Sequence, residues 1–339
     1  MGAYTSNFAA IDIGSHTIRL LIAEMSAEQE LSPIIVERRI TRLAKNFHIG
    51  HRLKDRGIAE SIHVLKEYTR LLEQYHVRSL ACGATGVIRR SGNRNDFLDI
   101  IQKETGIKCL IISEDSEAFL STKGILSVLP PIPGRVLAFD LGGSSTEFTL
   151  SQTKGERPIW NTSVFIGAAT VTERYLSAED PPGAEDVERA RRLISENLEH
   201  VFAALVDFEN VDRHHRIMTV GTAGTVTTLA AMNLGMTTYE PYRINGVRLD
   251  RSWLVETIGL LARSAIHERR GITGLEQGRE DIILGGALIV DEILRGLKRD
   301  SFIVADSGLL EGLLLELIER ENEWPRTMAT SLTWRKRKG

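Results

Sequence analysis

Asp12 stands between an apolar run and a short turn in Ile11-Asp12-Ile13-Gly14-Ser15-His16-Thr17, and a second apolar run follows. The same order returns in Phe139-Asp140-Leu141-Gly142-Gly143-Ser144-Ser145-Thr146-Glu147. An aspartate, a glycine-bearing turn and hydroxyl residues between two strands can grip phosphate. The glycine lets the backbone come close, and N–H groups with Ser or Thr hydroxyls donate to the oxygens. The aspartate can hold hydrated Mg²⁺, which prefers one or two carboxylates completed by phosphate oxygens and water. A single Asp-x-Gly also ends many plain strands. Two copies 128 residues apart, about one domain length, argue for a repeated phosphate-gripping hairpin. A third glycine-rich element, Gly221-Thr222-Ala223-Gly224-Thr225, lies between a strand and a helix. Its small residues suit either an anion at a helix N-terminus or close helix–strand packing.

The elements that must position these residues follow from apolar periodicity. Strands are expected at 8–13 and 18–23, joined by a hairpin over 14–17, with a third at 31–40. A helix over 59–75, a strand over 79–82, a polar loop holding Arg89, Arg90 and Arg94, a helix over 96–105 and a strand over 108–112 come next. Ser113 is placed to cap a helix running to 128. The segment Leu129-Pro130-Pro131-Ile132-Pro133-Gly134 can continue neither regular element. Beyond it, strands are expected at 136–140, 146–150, 217–220 and 302–305, and helices at 184–206, 225–234, 281–297 and 308–321. The domains so predicted are 1–128, a hinge over 129–134, a second domain over 135–323, and a basic, solvated tail over 324–339 carrying Arg326, Arg335, Lys336, Arg337 and Lys338.

With 339 residues, 42% hydrophobic and 26% charged, the chain reads as two folded domains and excludes a disordered or fibrous protein. No apolar run reaches the ~18 residues of a membrane helix, and the opening MGAYTSNFAAIDIGS lacks the basic-then-apolar order of a secretory signal. Two cysteines, Cys82 and Cys109, make no disulfide framework, so a cytoplasmic location is expected. Nine histidines occur without metal-ligand spacing. Neither a G-x-x-x-x-G-K-[ST] loop nor a G-x-G-x-x-G fingerprint is present. Net charge is −3, so a polyanion must be held by a local basic patch.

Together, Asp12–Ser15, the 140–147 hairpin and the 221–225 turn resemble the actin-like phosphotransferase superfamily, and within it the exopolyphosphatase / guanosine pentaphosphate phosphatase (Ppx/GppA) family. The most specific match is the second hairpin with its Ser-Thr-Glu ending. Tyr239-Glu240-Pro241, Asn245-Gly246, Ile283-Leu284-Gly285-Gly286-Ala287-Leu288 and Asp306-Ser307-Gly308-Leu309-Leu310-Glu311-Gly312 support it. The resemblance implies an α/β fold of two ribonuclease-H-like (actin-like ATPase) domains, mixed sheets flanked by helices around an interdomain cleft. It implies a Mg²⁺-dependent phosphohydrolase releasing the terminal phosphate of inorganic polyphosphate, or of the 5′-triphosphate of guanosine pentaphosphate, in a homodimer with no membrane or specific nucleic-acid partner.

Carried over by position, Glu117 is the catalytic base acting on water, and Asp12, Asp140 and Glu147 are the metal ligands. Gly14, Ser15, His16, Thr17, Arg19, Arg89, Gly142, Gly143, Ser144, Ser145, Thr146, Gly221, Thr222 and Gly224 contact phosphate. The sequence departs from the family where His16 replaces an asparagine, Ser144 a glycine, Glu114 a glycine, Ser116 a glutamate and Leu310 an arginine. His16 is expected to bring a pH dependence near its ordinary pKa of ~6.5. Because long family members carry a further helical domain after this core, a short-chain or nucleotide substrate is favoured. The departures also motivate a non-hydrolysing alarmone or polyphosphate sensor, with an actin-like ATPase or sugar kinase as a third reading.

Overall fold

The computed structural model describes residues 5–43, 47, 51–155, 157–211 and 217–335. They divide into two units, one made of 1–127 with 308–339 and the other of 128–307.

In the first unit, β1 (Ser6–Ile13), β2 (Thr17–Met25) and β3 (Glu30–Ile40) form an antiparallel meander. β4 (Ser79–Ala84) lies parallel beside β1, and the short β5 (Leu110–Ile111) beside β4. The β2–β3 ladder slips one residue where Pro33, which has no N–H to donate, meets Ala23. Along β1 alternate residues enter two different cores. Ala9, Ile11 and Ile13 pack with Leu65 and Tyr68 of the helix Asp55–Gln74. Phe8 and Ala10 pack with Phe119 of the helix Glu114–Ser127 and Leu314 of the helix Leu309–Glu321. Burial on both faces explains why β1 reads as a continuous apolar run.

In the second unit, β6 (Arg135–Leu141), β7 (Thr146–Gln152) and β8 (Pro158–Val164) repeat the antiparallel meander. β9 (Ile217–Thr222) lies parallel to β6. β10 (Arg248–Asp250) pairs antiparallel with β11 (Ser301–Val304), which is itself parallel to β9. The sheet order is β10-β11-β9-β6-β7-β8. Helices Ala184–Val211, Gly224–Asn233, Arg251–Arg263 and Ile283–Gly296 accompany it. In the first unit a final short strand, β12 (Thr333–Trp334), joins β3, giving β12-β3-β2-β1-β4-β5. The core order 3-2-1-4-5 thus recurs as 8-7-6-9-11, so the internal repeat of the sequence is a repeat of topology. Each unit is a mixed sheet with helices, the actin-like architecture that was expected.

Three expectations need correction. The closing helix Leu309–Glu321 belongs to the first unit and not to the second. Gly124 and Gly312 let its backbone touch the helix Glu114–Ser127: a Cβ on Gly312 would lie 1.9 Å from the Leu120 carbonyl oxygen, and one on Gly124 2.0 Å from that of Gly308. Lys123, fully buried, pairs with Glu319 across the same contact and reaches Glu316 at 3.3 Å. The tail is not a solvated end over its described part. Met328 and Leu332 are buried, and Trp334 Nε1 donates to Ser127 Oγ at 2.9 Å; Lys336, Arg337 and Lys338 lie outside the described residues. Finally, the expected polar loop around Arg89 and Arg90 is a short helix, Gly86–Arg90, and Arg94 opens the next, Arg94–Thr105.

Candidate functional site

The two hairpins close in the same way. Gly14 N–H donates to the Thr17 carbonyl at 2.9 Å, and Gly142 N–H to the Ser145 carbonyl at 3.0 Å. At both glycines a Cβ would sit 3.2 Å from that carbonyl oxygen, so glycine keeps each turn tight.

In the first hairpin Asp12 is buried opposite Arg19, whose Nε and Nη2 donate to Asp12 Oδ2 at 3.0 and 2.7 Å. Asp12 Oδ1 is buried with no hydrogen-bond partner. Asp12 and Arg19, expected as metal ligand and phosphate contact, are therefore each other's partners. Ser15 Oγ accepts the Val87 N–H at 3.1 Å and ties the turn to the helix Gly86–Arg90. Gly86, with φ +52°, is the residue that admits this contact, since a Cβ there would lie 2.8 Å from Ser15 Oγ. His16 sits at the tip of the turn, and its carbonyl accepts the N–H groups of Thr41 and Arg42 at 3.0 Å each. Partial burial of its ring, with Arg42 and Arg38 nearby, holds its pKa below the ordinary 6.5. The expected charge change near that value is thus displaced to lower pH.

Glu117 is in the first turn of its helix, where carboxylates are favoured by the helix dipole. Ser113 accepts the Ser116 N–H through Oγ at 3.2 Å, in the capping role read from the sequence. Arg89 Nη1 donates to Glu117 Oε2 at 2.7 Å and to the Ile112 carbonyl at 2.8 Å, while Nη2 reaches Glu114 Oε1 at 3.1 Å. The guanidinium expected to face phosphate is instead fastened to the carboxylate expected to act as base.

In the second hairpin Asp140 and Glu147 are directly paired across β6 and β7 and project to one face. Glu147 Oε1 accepts the Ser163 hydroxyl at 2.9 Å. The turn rests on Gly167–Thr170, a contact the sequence reading missed. The Gly142 carbonyl accepts Ala168 N–H at 3.0 Å, and the Gly143 carbonyl accepts Ala169 and Thr170 N–H at 2.9 and 3.1 Å. Peptide planarity then turns the N–H groups of Gly143 and Ser144 away from that support, as a phosphate nest requires. Gly167 is the signal that could have revealed it: a Cβ there would meet Ser144 N at 2.4 Å. Thr146 corrects an expectation, because its buried hydroxyl donates to the Ile166 carbonyl at 2.6 Å and is not offered to a ligand.

The third element resolves mainly as packing. A Cβ on Gly221 would lie 2.5 Å from Phe139 Cζ and 2.8 Å from Phe302 Cε2, so this glycine makes room for core rings. Thr222 is buried and donates to the Ser307 carbonyl at 2.8 Å. Gly224 lies under the Arg279 guanidinium, where a Cβ would be 1.9 Å from Nη2. Leu310 is buried in the core of the first unit.

Among the described residues no three His, Cys, Asp or Glu side chains gather as a metal cage. Mg²⁺ does not need one, since it takes one or two carboxylates with water and phosphate oxygens, and the paired Asp140 and Glu147 are the two carboxylates that could hold it. No helix among the described residues is long and apolar enough to cross a membrane.

Residues 21–321 match the model of the Ppx/GppA phosphatase family. Among curated relatives, a bifunctional 3-dehydroquinate synthase/phosphatase of Fusobacterium nucleatum is 31% identical over 330 residues, covering 94% of this chain and 48% of the relative. The chain thus spans about half of that protein's length. Exopolyphosphatase 2 of Mycobacterium tuberculosis is 32% identical over 321 residues, covering 91% of this chain and 98% of the relative. Among solved structures, the Aquifex aeolicus member of the Ppx/GppA family superposes with a TM-score of 0.80 at 31% identity, covering 94% and 99% of the two chains. An exopolyphosphatase from Cytophaga hutchinsonii, 22% identical over 96% of this chain and 100% of that one, shares the fold with a TM-score of 0.78.

Proposed function

The chain belongs to the Ppx/GppA phosphatase family, and we propose that it is a Mg²⁺-dependent phosphohydrolase that releases the terminal phosphate of inorganic polyphosphate. The observation that carries this reading is the Asp140–Glu147 pair set beside the outward N–H groups of Gly143 and Ser144. Two adjacent carboxylates repel phosphate unless a cation joins them, and amides turned outward offer the donors a phosphoryl group needs. When bound there, Mg²⁺ supplies neutralisation of the phosphoryl oxygens.

The chain's own residues do the rest. Amides of the second hairpin orient the terminal phosphoryl group. Arg89 anchors Oε2 of Glu117, fixing the direction in which that carboxylate meets water. In the reaction a water oxygen forms a bond to the terminal phosphorus and the bridging P–O bond on the far side breaks. The water proton passes to the Glu117 carboxylate, and the electron pair leaves with the shortened chain. A guanosine pentaphosphate 5′-triphosphate ends in the same anhydride and is a second substrate under this proposal. Retention of Glu117, Asp140 and Glu147 favours hydrolysis over a silent sensor, and Leu310 serves the core.

The experiment is phosphate release from polyphosphates of several lengths and from guanosine pentaphosphate, with Mg²⁺ and with chelator, for the natural chain and for Glu117→Gln. The natural chain is expected to release phosphate only with the metal, and Glu117→Gln to be slower by about two to four powers of ten with binding retained. Near-natural turnover in the variant would remove Glu117 from the base role. No release from any substrate would overturn the hydrolase reading.

A further inference from the structure

In the second sheet the register runs on past the two acids: Asp140 lies opposite Glu147, and Glu147 opposite Ser163 of β8. Directly opposed residues project to the same face, so the three side chains form one row beside the Gly142–Ser145 turn. One place along each strand, Leu141, Thr146 and Val164 form the next row and are buried on the other face. Ser163 itself is exposed, and its hydroxyl donates to Glu147 Oε1 at 2.9 Å.

Neighbouring hydroxyls are used differently. Thr146 donates to the Ile166 carbonyl at 2.6 Å, Thr170 to the Gly167 carbonyl at 3.0 Å and Thr222 to the Ser307 carbonyl at 2.8 Å. Each of these satisfies a backbone group. Ser163 gives its proton to a carboxylate, at a position where water is available to both partners, so the bond matters for the direction it imposes. A glutamate has three side-chain torsions, and holding a cation makes it give up that freedom. A hydroxyl on Oε1 fixes the plane of the carboxylate in advance, and a carboxylate has lone pairs beyond the one so used. The same bond offsets part of the repulsion between two acids directly opposed across a ladder. The segment Gly167–Thr170, which supports the Gly142 and Gly143 carbonyls, begins four residues after Ser163. One stretch of chain thus sets both the turn and the acid beside it.

We propose that Ser163 is a positioning residue, whose hydroxyl holds the Glu147 carboxylate in the orientation in which it joins Asp140 at a Mg²⁺ ion. This rests on the Mg²⁺-dependent hydrolase reading above. Ser163 touches neither metal nor substrate in this role. It acts through Glu147, as the hydrogen-bonding partners of metal-ligating carboxylates do.

The test compares Ser163→Ala and Ser163→Val, which remove the hydroxyl, with Ser163→Thr, which keeps it on a side chain of valine's shape. Binding of Mn²⁺, a paramagnetic stand-in for Mg²⁺, is read on the full chain from the loss of the free-ion resonance signal. Alongside it is read the Mg²⁺ concentration that half-saturates phosphate release from polyphosphate. Ser163→Ala and Ser163→Val are each expected to weaken Mn²⁺ binding about 10-fold and to raise the Mg²⁺ half-saturation by a similar factor, while turnover at saturating Mg²⁺ falls less than about threefold. Ser163→Thr is expected to stay within about twofold of the natural chain in both metal readouts. Ser163→Thr behaving like Ser163→Val, unchanged metal affinity in Ser163→Ala and Ser163→Val, or a turnover loss at saturating metal with metal affinity unchanged would overturn the positioning role while leaving the hydrolase reading standing. Where the natural chain releases phosphate but takes up no free Mn²⁺, the Mg²⁺ half-saturation decides by the same criteria. A natural chain that neither binds Mn²⁺ nor releases phosphate with Mg²⁺ would overturn both. Ser163 is exposed, and matching thermal unfolding midpoints verify that the variants fold alike.

Discussion

Seven residues after its aspartate, the first hairpin has Arg19 and the second has Glu147. The ladders place each directly opposite that aspartate. One substitution within a repeated frame therefore separates the chemistry of two otherwise similar turns. Asp12 is neutralised inside the protein by a guanidinium 2.7 Å away, whereas Asp140 shares its face with a second acid. The second hairpin is accordingly the one to which the proposal above assigns the cation and the phosphoryl group. His16 tests the electrostatics of that first turn. Its folded pKa lies below 6.5 because of ring burial, Arg42 and Arg38, in that order. The neutral form is thus favoured on folding, so its contribution to stability is complete above pH 6.5 and is lost as pH falls through the lower folded value. An NMR titration of His16 is expected to show a midpoint below 6.5 that rises when Arg42 or Arg38 is replaced by Gln. A midpoint that stays put in both variants would show that the two arginines do not act on the ring.

Elements place these side chains through close backbone approaches. The helix bearing Glu117 is locked to the closing helix at Gly124 and Gly312, and by Lys123 with Glu319. Gly312→Ala puts a Cβ 1.9 Å from the Leu120 carbonyl oxygen, so the two helices must separate. The expected cost is about 2–3 kcal/mol, read as a lowered midpoint in denaturant unfolding, with turnover falling because Glu117 moves with its helix. An unchanged midpoint would show that the contact is slack. Much at this scale was legible beforehand. The strand–turn–strand pairs, the Ser113 cap and the helix carrying Glu117 follow from period and capping chemistry. β8 was missed, because Asn161, Thr162 and Ser163 dilute its apolar alternation, and its place is set by pairing with β7. The buttress under the second turn was illegible for a related reason: Gly167 matters for what lies across space from it. Arg89 was read from position alone as a phosphate ligand, and only the fold shows that Glu117, 28 residues later in the chain, takes up one of its donors.

At the scale of the whole molecule, the repeat that sequence spacing suggested is a repeat of sheet order, and the family match over residues 21–321 takes in the second copy whole and the first from within β2 onward. The proline-rich break at 129–134 adjoins the division between units, at Ser127 and Val128. The return of 308–339 to the first unit could not be read from composition, since a closing helix carries no mark of which sheet it will cover. Its destination is decided by the glycine contacts and by the burial of Met328 and Leu332. The central claim, water attack on the terminal phosphorus of a phosphate chain, concerns the assembled molecule and is tested most directly by isotope. With polyphosphate and Mg²⁺ in ¹⁸O-labelled water, the account predicts one labelled oxygen in each released orthophosphate and none in the shortened chain. Label in the residual chain end, or products of internal cleavage in place of orthophosphate, would contradict it.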